Sequence, residues 1–194
     1  MAIALCVLYF AVLLTLSAYG LHRFHLVMLC RRHRAKIEDA PALAGEPMSD
    51  EGLPVVTIQL PIFNESTVAN RLIEAVAQMD YPADKLEIQV LDDSTDETQA
   101  LARSHVRKLQ KRGIDAVYLH RTDRTGYKAG ALEEGMHVAK GEFIAVFDAD
   151  FVPKKDFLRQ TVDYFTDPGI GMVQARWEHI NREYSLLTRA QAIL

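Results

Sequence analysis

Cysteine is scarce in this chain of 194 residues, and both copies, Cys6 and Cys30, lie in the apolar N-terminal segment. The rest of the chain therefore holds no disulfide framework, which is typical of a domain in a reducing compartment. An excess of basic residues is also missing, since 22 Lys and Arg stand against 26 Asp and Glu and give a net charge of -4. Because nucleic-acid-binding domains usually carry a basic stripe, we expect no nucleic-acid partner.

The chain also lacks the glycine-rich loops of two large classes of nucleotide-binding protein. No Gly-x-Gly-x-x-Gly follows the first predicted strand, and Gly-x-x-x-x-Gly-Lys-Ser/Thr occurs nowhere. The chain thus lacks the loops with which dehydrogenases and P-loop NTPases bind nucleotide phosphates, which argues against both functions. Four histidines, at positions 105, 120, 137 and 179, are scattered without a nearby cysteine pair, which argues against a zinc site.

Charge is absent from residues 1–21, a run dominated by Ala, Leu, Val, Ile and aromatic residues. A helix of this length spans roughly 30 Å, the thickness of a bilayer core. A cleaved signal peptide is the alternative, but no basic residue precedes the run and no small-x-small cleavage site follows it. A buried core helix is a third alternative. It is disfavoured because apolar residues occupy every face of the predicted helix.

Basic residues follow this apolar run on its downstream side only. They are Arg23, Arg31, Arg32, Arg34 and Lys36. By the positive-inside bias, we expect one retained membrane span with an interfacial extension within residues 1–30, and a cytosolic C-terminal portion. Residues 31–54 are basic at first and then rich in Pro, Gly, Ala and acidic residues, which predicts a linker between the lipid bilayer and a soluble domain.

From residue 55 onward, strand-like and helix-like patterns alternate with short connections, which indicates βαβ units and a mainly parallel sheet. The predicted strands are 55–60, 86–91, 116–120, 143–147 and 170–175. The predicted helices are 66–79, 96–112, 128–139, 156–165 and 181–194. We expect Ser66 to cap the first of these helices, and Asp96 with Gln99 to form a capping box on the second. The apolar ending QAIL, without a C-cap, predicts that the domain continues beyond residue 194.

Residues 143–153, FIAVFDADFVP, read as a buried strand followed by two aspartates, Asp148 and Asp150. Side chains at i and i+2 of an extended chain point the same way, so the two carboxylates can converge on one ligand. Mg²⁺ or Mn²⁺ takes such oxygen ligands and shares them with substrate phosphates. A solvated turn at the strand end is the alternative for an Asp-x-Asp taken alone.

Polar residues follow the first two predicted strands as well, where an open α/β sheet binds ligands. Asn64 and Glu65 follow the first strand; they belong either to a nucleotide site or to turn and helix-start chemistry. Asp92 and Asp93 follow the second, and either carboxylate can accept hydrogen bonds from a base N–H or from ribose hydroxyls. Asp96 is explained by helix capping alone.

A basic segment, RTDRTGYK, follows the third strand, and a helix begins at its end. Lys128 and the helix N-terminus suit the binding of phosphates. The alternative is that Lys128 and Arg124 are solvated surface charges. Phosphate binding is favoured because three consecutive strand ends carry groups suited to a nucleotide and the fourth carries the aspartate pair.

Five motifs, QLPIFNE, LDDSTDET, GYKAGALEEGM, FDADF and VQARWEHIN, together resemble the family 2 glycosyltransferases of GT-A fold. They are most similar to the membrane-bound cellulose-synthase-like group that includes plant glucomannan mannosyltransferases, and the resemblance covers residues 55–194. It implies a Rossmann-like, mainly parallel sheet, incomplete in this chain and preceded by one transmembrane helix. It also implies inverting transfer of a hexose from UDP-glucose or GDP-mannose to a saccharide acceptor, with a β-glycosidic product.

The resemblance also implies roles for individual residues. Asp93 or its neighbour Asp92 resembles the aspartate that contacts the nucleoside base, and Lys128 resembles the lysine near the diphosphate. Asp148 and Asp150 resemble the metal site for Mg²⁺ or Mn²⁺. Gln174 resembles a residue that lines the active-site cleft.

Two motifs of the family are missing from the sequence. The catalytic aspartate of a Thr-Glu-Asp motif and the Gln-x-x-Arg-Trp motif both belong downstream, so the general base is expected beyond Leu194. The Arg-Trp of QARW lies in an earlier segment and is a different motif. Two alternatives therefore remain for the chain, a membrane-tethered nucleotide-sugar-binding fragment without catalysis and a structural membrane-anchored α/β module.

Overall fold

The computed structural model describes residues 1–38, 48–175 and 178–192 of two compact units, Met1–Glu46 and Pro47–Leu194. The described residues of the first unit form one long helix, α1, Ala2–Glu38. Within it, Ala2–His33 contains an 18-residue window with a mean hydropathy of 2.2, so it is long and apolar enough to cross a bilayer by length and composition. The predicted span within residues 1–30 lies inside this stretch. Most of the predicted linker, residues 39–47, lies outside the described residues.

The second unit is built on a four-stranded, all-parallel sheet. Its strands are β1 Val56–Ile62, β2 Leu86–Asp92, β3 Ala116–His120 and β4 Phe143–Val146, in the spatial order β3-β2-β1-β4. Val56 lies opposite both Leu86 of β2 and Phe143 of β4, so the strands begin at nearly the same level. The α/β fold with a parallel sheet that the sequence predicts is therefore confirmed.

Five helices follow in this unit, and three of them connect consecutive strands. They are α2 Ala69–Val76, α3 Thr98–Lys111, α4 Tyr127–Met136, α5 Phe157–Val162 and α6 Leu186–Gln191. Two short 3₁₀ helices, Ala83–Lys85 and Asp163–Thr166, precede β2 and follow α5. The α-helices are shorter than the sequence predicts, because turns occupy the ends of the periodic segments.

The main core lies on one face of the sheet. Alternate residues of β1 and β2, such as Ile58, Leu60 and Ile88, are fully buried and belong to one cluster with Leu72 of α2 and Leu109 of α3. Each such side chain contributes about 1.5–3 kcal/mol when it is removed from water. This packing makes the sheet a rigid platform for the loops at the carboxyl ends of its strands.

The predicted fifth strand, residues 170–175, is wrong. The segment has no regular secondary structure; Met172 is 79% exposed and Gln174 is also exposed. A strand forms only where a neighbouring strand supplies the hydrogen-bond ladder, and none of the four strands in the described chain pairs with this segment. Its apolar alternation alone cannot supply that partner.

Two predicted helix starts also differ from the structure. Ser66 lies before α2 in a turn, where its hydroxyl donates to Glu97 Oε1 at 3.3 Å, so the predicted cap is wrong. Asp96 does accept the Thr98 backbone N–H at 2.9 Å, as a capping residue does. Gln99 instead donates to the backbone carbonyl of Ser94, so the capping box with Asp96 does not form.

The last predicted helix, 181–194, is shorter in the structure. Its regular part, α6, begins after Ser185, whose hydroxyl accepts the Thr188 backbone N–H at 3.2 Å. Residues 193 and 194 lie outside the described chain, as do the Arg-Trp residues of the VQARWEHIN motif.

Candidate functional site

The sheet has one topological switch point, between β1 and β4 among its described strands. The chain runs from β1 outward to β2 and β3, and then returns to place β4 on the other side of β1. Connections that leave neighbouring strands in opposite directions open a crevice at the carboxyl ends, where α/β sheets bind ligands. The loop after β1 and the loop after β4 border this crevice.

Three carboxylates and one ammonium group occupy this place. Burial raises the pKa of Glu65, the negative charges of Asp150 and Asp148 raise it further, and the positive charge of Lys128 lowers it. These contributions require the four side chains to lie within one electrostatic neighbourhood. The structure thus brings together four of the residues that the sequence singles out, and we call them the switch-point cluster.

Lys128 reaches the cluster from the first turn of α4. Its ammonium donates to Asp148 Oδ1, and both side chains are about half exposed, at 52% and 47%. The preceding turn is unusually tight, because Gly126 and Tyr127 both have positive φ, 75° and 50°. Positive φ in a non-glycine residue is strained and is often found at functional sites.

Gly130 allows this turn to close onto α4. A Cβ at this position would lie 2.1 Å from the carbonyl oxygen of Thr125, a distance that no side chain tolerates. The close approach of loop and helix fixes where α4 begins, and therefore where Lys128 lies. The motif GYKAG is thus explained by backbone geometry as well as by its lysine.

The donor set of the cluster fits a hard divalent cation. Asp148 and Asp150 offer carboxylate oxygens, and Asp148 already binds a cationic group, the ammonium of Lys128. Among the residues described, no three His, Cys, Asp or Glu side chains converge to hold a metal ion by themselves. Such a cation must take its remaining ligands from phosphates or water, which is the usual coordination of Mg²⁺ at nucleotide sites.

Asp92 and Asp93 are both buried but have different partners. Asp92 accepts the Ser94 backbone N–H at 2.9 Å and the Tyr118 hydroxyl at 2.5 Å, one bond to each oxygen. Burial and the carboxylate of Asp92 raise the pKa of Tyr118, which keeps this hydroxyl a donor. Asp92 therefore holds the loop after β2 in place.

Asp93 forms a bidentate ion pair with Arg121, with bonds of 2.8 Å to Nε and 2.6 Å to Nη2. Only 4% of the Asp93 side chain is exposed, and the pair keeps its charge compensated. The same contact raises the pKa of Arg121. A carboxylate has about four lone-pair sites, so Asp93 retains acceptor capacity for a ligand.

Sequence reasoning missed Arg121 and the packing of Arg124. The Arg124 guanidinium carbon lies 3.3 Å from the centroid of the Phe63 ring and its Nε lies 3.8 Å from Asp93 Oδ2. Arg124 is thus a packed residue of the site and not a freely solvated charge. The signal for Arg121 was available, because β2 and β3 are neighbours and a basic residue directly follows β3 where an aspartate follows β2.

Asn64 and Gln174, like Asp92 and Asp93, are predicted site residues that do not belong to the switch-point cluster. Asn64 has a φ of 53°, and its side-chain oxygen accepts the Thr95 backbone N–H at 2.8 Å, so it joins the loops after β1 and β2. Gln174 is exposed in the irregular segment that replaces the predicted fifth strand. No hydrogen bond or ion pair links it to the other predicted site residues in the described part of the chain.

Known proteins resemble this chain over most of its length. A family model, Glycosyl transferase family 2, matches residues 57–193. Glucomannan 4-beta-mannosyltransferase 2 of Arabidopsis thaliana is 36% identical over 197 residues, which cover 98% of this chain and 37% of the relative. The chain therefore spans little more than a third of the length of this relative.

Solved structures give the same result for the fold. The mannosyltransferase PcManGT of Pyrobaculum calidifontis, in complex with GDP-Man and Mn²⁺, has a TM-score of 0.63 and 29% identity, covering 80% of this chain and 44% of that one. Glucosyl-3-phosphoglycerate synthase of Mycobacterium tuberculosis, at 21% identity and a TM-score of 0.50, covers 76% of this chain and 54% of its own and supports the fold alone. Because the family model covers more than two thirds of the residues, the chain belongs to glycosyl transferase family 2, and it has the GT-A fold that the sequence predicts.

Proposed function

We propose that this chain is the donor-binding part of a membrane-bound, inverting glycosyltransferase that transfers mannose or glucose from a nucleotide sugar to a saccharide hydroxyl and forms a β-glycosidic bond. The observation that carries this proposal is the switch-point cluster. It combines two carboxylates suited to a divalent cation with an ammonium group suited to phosphate. A diphosphate is the substrate group that needs both.

Asp148 and Asp150 are the residues that would hold Mg²⁺ or Mn²⁺. The ion, when bound, stabilises the negative charge of the departing nucleoside diphosphate as a Lewis acid. Support comes from the 29% identical mannosyltransferase, whose structure contains GDP-Man and Mn²⁺. Lys128, freed from Asp148, places its positive charge on the diphosphate oxygens.

Asp93 is the better candidate for the base-binding aspartate, because a small part of its side chain is exposed, 4%, whereas the side chain of Asp92 is fully buried. Arg121 compensates the charge of Asp93 through a bidentate ion pair, and the free lone pairs of the carboxylate can accept the N–H groups of a pyrimidine or purine ring. The Phe63 ring and the guanidinium of Arg124 lie beside it and offer flat surfaces for stacking. Asn64 supports this side of the site through Thr95.

The acceptor side lies downstream of the residues described. The acceptor hydroxyl attacks the anomeric carbon in line with the leaving diphosphate, and a general base takes its proton. We expect this base beyond Leu194, in the part of the relative's length that this chain does not span. Gln174 lies in the irregular segment that follows α5 and is proposed to line the active-site cleft.

The identities of the relatives favour GDP-mannose over UDP-glucose as the donor. One relative is a glucomannan mannosyltransferase, and the 29% identical structure is a mannosyltransferase in complex with GDP-Man. The apolar stretch Ala2–His33 of α1 would place the reaction at a membrane, with the domain on the cytosolic side because basic residues follow the stretch.

A transfer assay on the complete membrane protein tests the proposal. We expect Mn²⁺-dependent transfer of labelled mannose from GDP-mannose, with UDP-glucose as the competing donor, and loss of transfer in Asp150→Ala. Glu142→Gln, an exposed carboxylate near the start of β4, is the matched control and should retain activity. Full activity of Asp150→Ala with Mn²⁺ present would contradict the proposal.

The same preparation separates the two alternatives. Binding of GDP or UDP with Mn²⁺ in calorimetry, without any transfer by the complete protein, would support a binding fragment without catalysis. No binding at all would support a structural module.

A further inference from the structure

The face of the sheet that lies under α4 is built from polar side chains. Thr57 and Gln59 of β1 and Glu87 and Gln89 of β2 are each at most 1% exposed. They alternate with the apolar core residues of the same strands, so they point to the opposite face. Burying a polar side chain costs free energy that burying an apolar side chain does not cost. A contribution to stability alone therefore does not explain why this face of the sheet is polar.

Glu87 is the centre of this polar layer. Its Oε2 accepts hydrogen bonds from the Thr57 hydroxyl at 2.6 Å and from the Lys140 backbone N–H at 2.9 Å, and its Oε1 lies 3.7 Å from the Lys140 ammonium. The Thr57 hydroxyl accepts the Gly141 N–H at 2.8 Å. A Cβ at Gly141 would lie 2.3 Å from the Thr57 backbone nitrogen, so this contact is as close as the backbone allows. The turn between α4 and β4 is therefore held by two strands at once.

The same polar layer supports α4 along its length. Gln59 Nε2 donates to the Leu132 carbonyl at 3.3 Å and to Gln89 Oε1 at 3.1 Å. The buried residues of α4 are the small Ala131 and Gly135, and a Cβ at Gly135 would lie 2.5 Å from Gln59 Nε2. Directional hydrogen bonds and close backbone approach, and not large apolar side chains, thus determine where this helix lies.

The two ends of this unit meet at the switch-point cluster. Lys128 lies in the first turn of α4 and Asp148 follows β4, whereas the turn held by Glu87 connects the other ends of the helix and the strand. A helix of this length is about 15 Å long, so a small shift at the turn moves the first turn of the helix relative to the strand end. Glu87 lies outside the cluster but controls the connection between two of its members.

We propose that Glu87 is a positioning residue, which sets the separation of Lys128 and Asp148 by holding the turn between α4 and β4. The inference rests on the proposed function, because the effect is expected on binding of a divalent cation and a nucleoside diphosphate. Residues that contact metal ligands directly typically change metal affinity 10- to 100-fold when they are removed; Glu87 contacts neither Lys128 nor Asp148, so an effect at the lower end, about tenfold, is expected here.

The test measures Mn²⁺ affinity in the presence of GDP for the complete protein and three variants. Glu87→Leu removes the acceptor, and its Mn²⁺ affinity should fall about tenfold. Glu87→Gln keeps an acceptor oxygen for Thr57 and Lys140 and should retain nearly the wild-type affinity. Leu109→Ala removes a buried side chain from α3 and serves as a control of similar instability, with Mn²⁺ affinity unchanged.

Amide hydrogen exchange gives a second readout that needs no ligand. Exchange in α4 should become faster in Glu87→Leu than in Leu109→Ala, with the reverse order in α3. If Glu87→Leu does not fold, Thr57→Val removes a single hydroxyl from the same contact and should lower Mn²⁺ affinity by a smaller factor.

The proposal would be overturned if folded Glu87→Leu or Thr57→Val bound Mn²⁺ and GDP as the wild type does, or if Leu109→Ala lost as much affinity. Failure of the wild-type protein to bind Mn²⁺ and GDP would instead contradict the proposed function. Exchange in α4 would then still decide whether Glu87 holds this helix.

Discussion

Lys128 donates a hydrogen bond to Asp148, so that an ion pair joins the first turn of α4 to the loop after β4. Both residues were singled out from the sequence for different ligands, phosphate for the lysine and a cation for the aspartate. In the structure they neutralise each other. Under the proposed function, binding of a metal by Asp148 and of a diphosphate by Lys128 separates the two side chains. The metal then frees Lys128 for the diphosphate, and the diphosphate frees Asp148 for the metal.

Replacement of Lys128 by Met should have opposite effects on the two ligands. Loss of the ammonium removes a charged hydrogen bond to the diphosphate, worth about 1.5–3 kcal/mol, so GDP affinity should fall roughly 10- to 100-fold. Mn²⁺ affinity without nucleotide should rise, because Asp148 loses its competing cation. Calorimetry measures both, with Lys111→Met on the exposed side of α3 as the control. A parallel loss of both affinities would show that the ion pair does not compete with the metal.

The pair formed by Asp93 and Arg121 should be important for stability as well as for binding. Arg121→Leu leaves a buried carboxylate without its hydrogen-bonded partner, which costs about 3–5 kcal/mol in comparable cases; Arg124, with its Nε 3.8 Å from Asp93 Oδ2, should reduce this cost. The double variant Asp93→Asn with Arg121→Leu should recover part of this loss, because no charge remains buried. Thermal unfolding of the four proteins in a double-mutant cycle measures the coupling. Additive effects of the two substitutions would contradict it.

The pH dependence of Glu65 can be tested in the metal-free protein. The folded protein raises the pKa of Glu65 above about 4.5, so the folded state binds this proton more tightly than the unfolded state. The resulting stability is present below that pH and is lost as the pH rises through the raised pKa. Glu65→Gln should therefore be the more stable protein at neutral pH, by less than about 1 kcal/mol because the carboxylate is partly solvated.

The difference in melting temperature between Glu65→Gln and the wild type should disappear near pH 4. It should also shrink at neutral pH when Mn²⁺ and GDP are present, because a bound cation offsets the repulsion among the carboxylates. A lower melting temperature of Glu65→Gln at neutral pH without metal would contradict the electrostatic interpretation of the cluster.

Gly130→Ala tests whether the close approach of the turn to α4 determines the position of Lys128. Alanine is intrinsically better than glycine in a helix by about 1 kcal/mol. Here its methyl group would meet the Thr125 carbonyl, and overpacking of this kind costs about 1–3 kcal/mol. We expect a lower melting temperature and weaker GDP binding, whereas Gly52→Ala, whose Cβ would make ordinary contacts, should change neither. A stabilised Gly130→Ala with normal binding would refute this account.

The features predicted from sequence are those that depend on local patterns. The alternation of strand-like and helix-like patterns with short connections identified the four strands of the sheet. The rule that α/β sheets bind ligands at the carboxyl ends of their strands singled out Glu65, Lys128, Asp148 and Asp150. These predictions succeed because the carboxyl ends of parallel strands must meet at one edge. The five motifs that together resemble family 2 glycosyltransferases identify the family more specifically than any one of them does alone.

The features that sequence reasoning missed depend on partners that are distant in the chain. The segment that contains Gln174 has a strand-like pattern, but no described strand pairs with it. For Asn64 the sequence leaves both a nucleotide site and turn chemistry open; in the structure its left-handed backbone directs its amide to Thr95 of another loop, a partner that the sequence does not reveal. The contact of Arg124 with Phe63 likewise depends on the folding of a tight turn, which residue composition does not reveal.

The central claim, that the switch-point cluster binds a metal and a nucleoside diphosphate together, is tested most directly by measuring Mn²⁺ affinity with and without GDP. Wild-type protein should bind Mn²⁺ at least tenfold more tightly with GDP, because roughly 1.4 kcal/mol of coupling corresponds to that factor. Asp148→Asn and Asp150→Asn should each abolish the enhancement, and Glu142→Gln should preserve it. Equal Mn²⁺ affinity with and without GDP, or full enhancement in both aspartate variants, would contradict the claim.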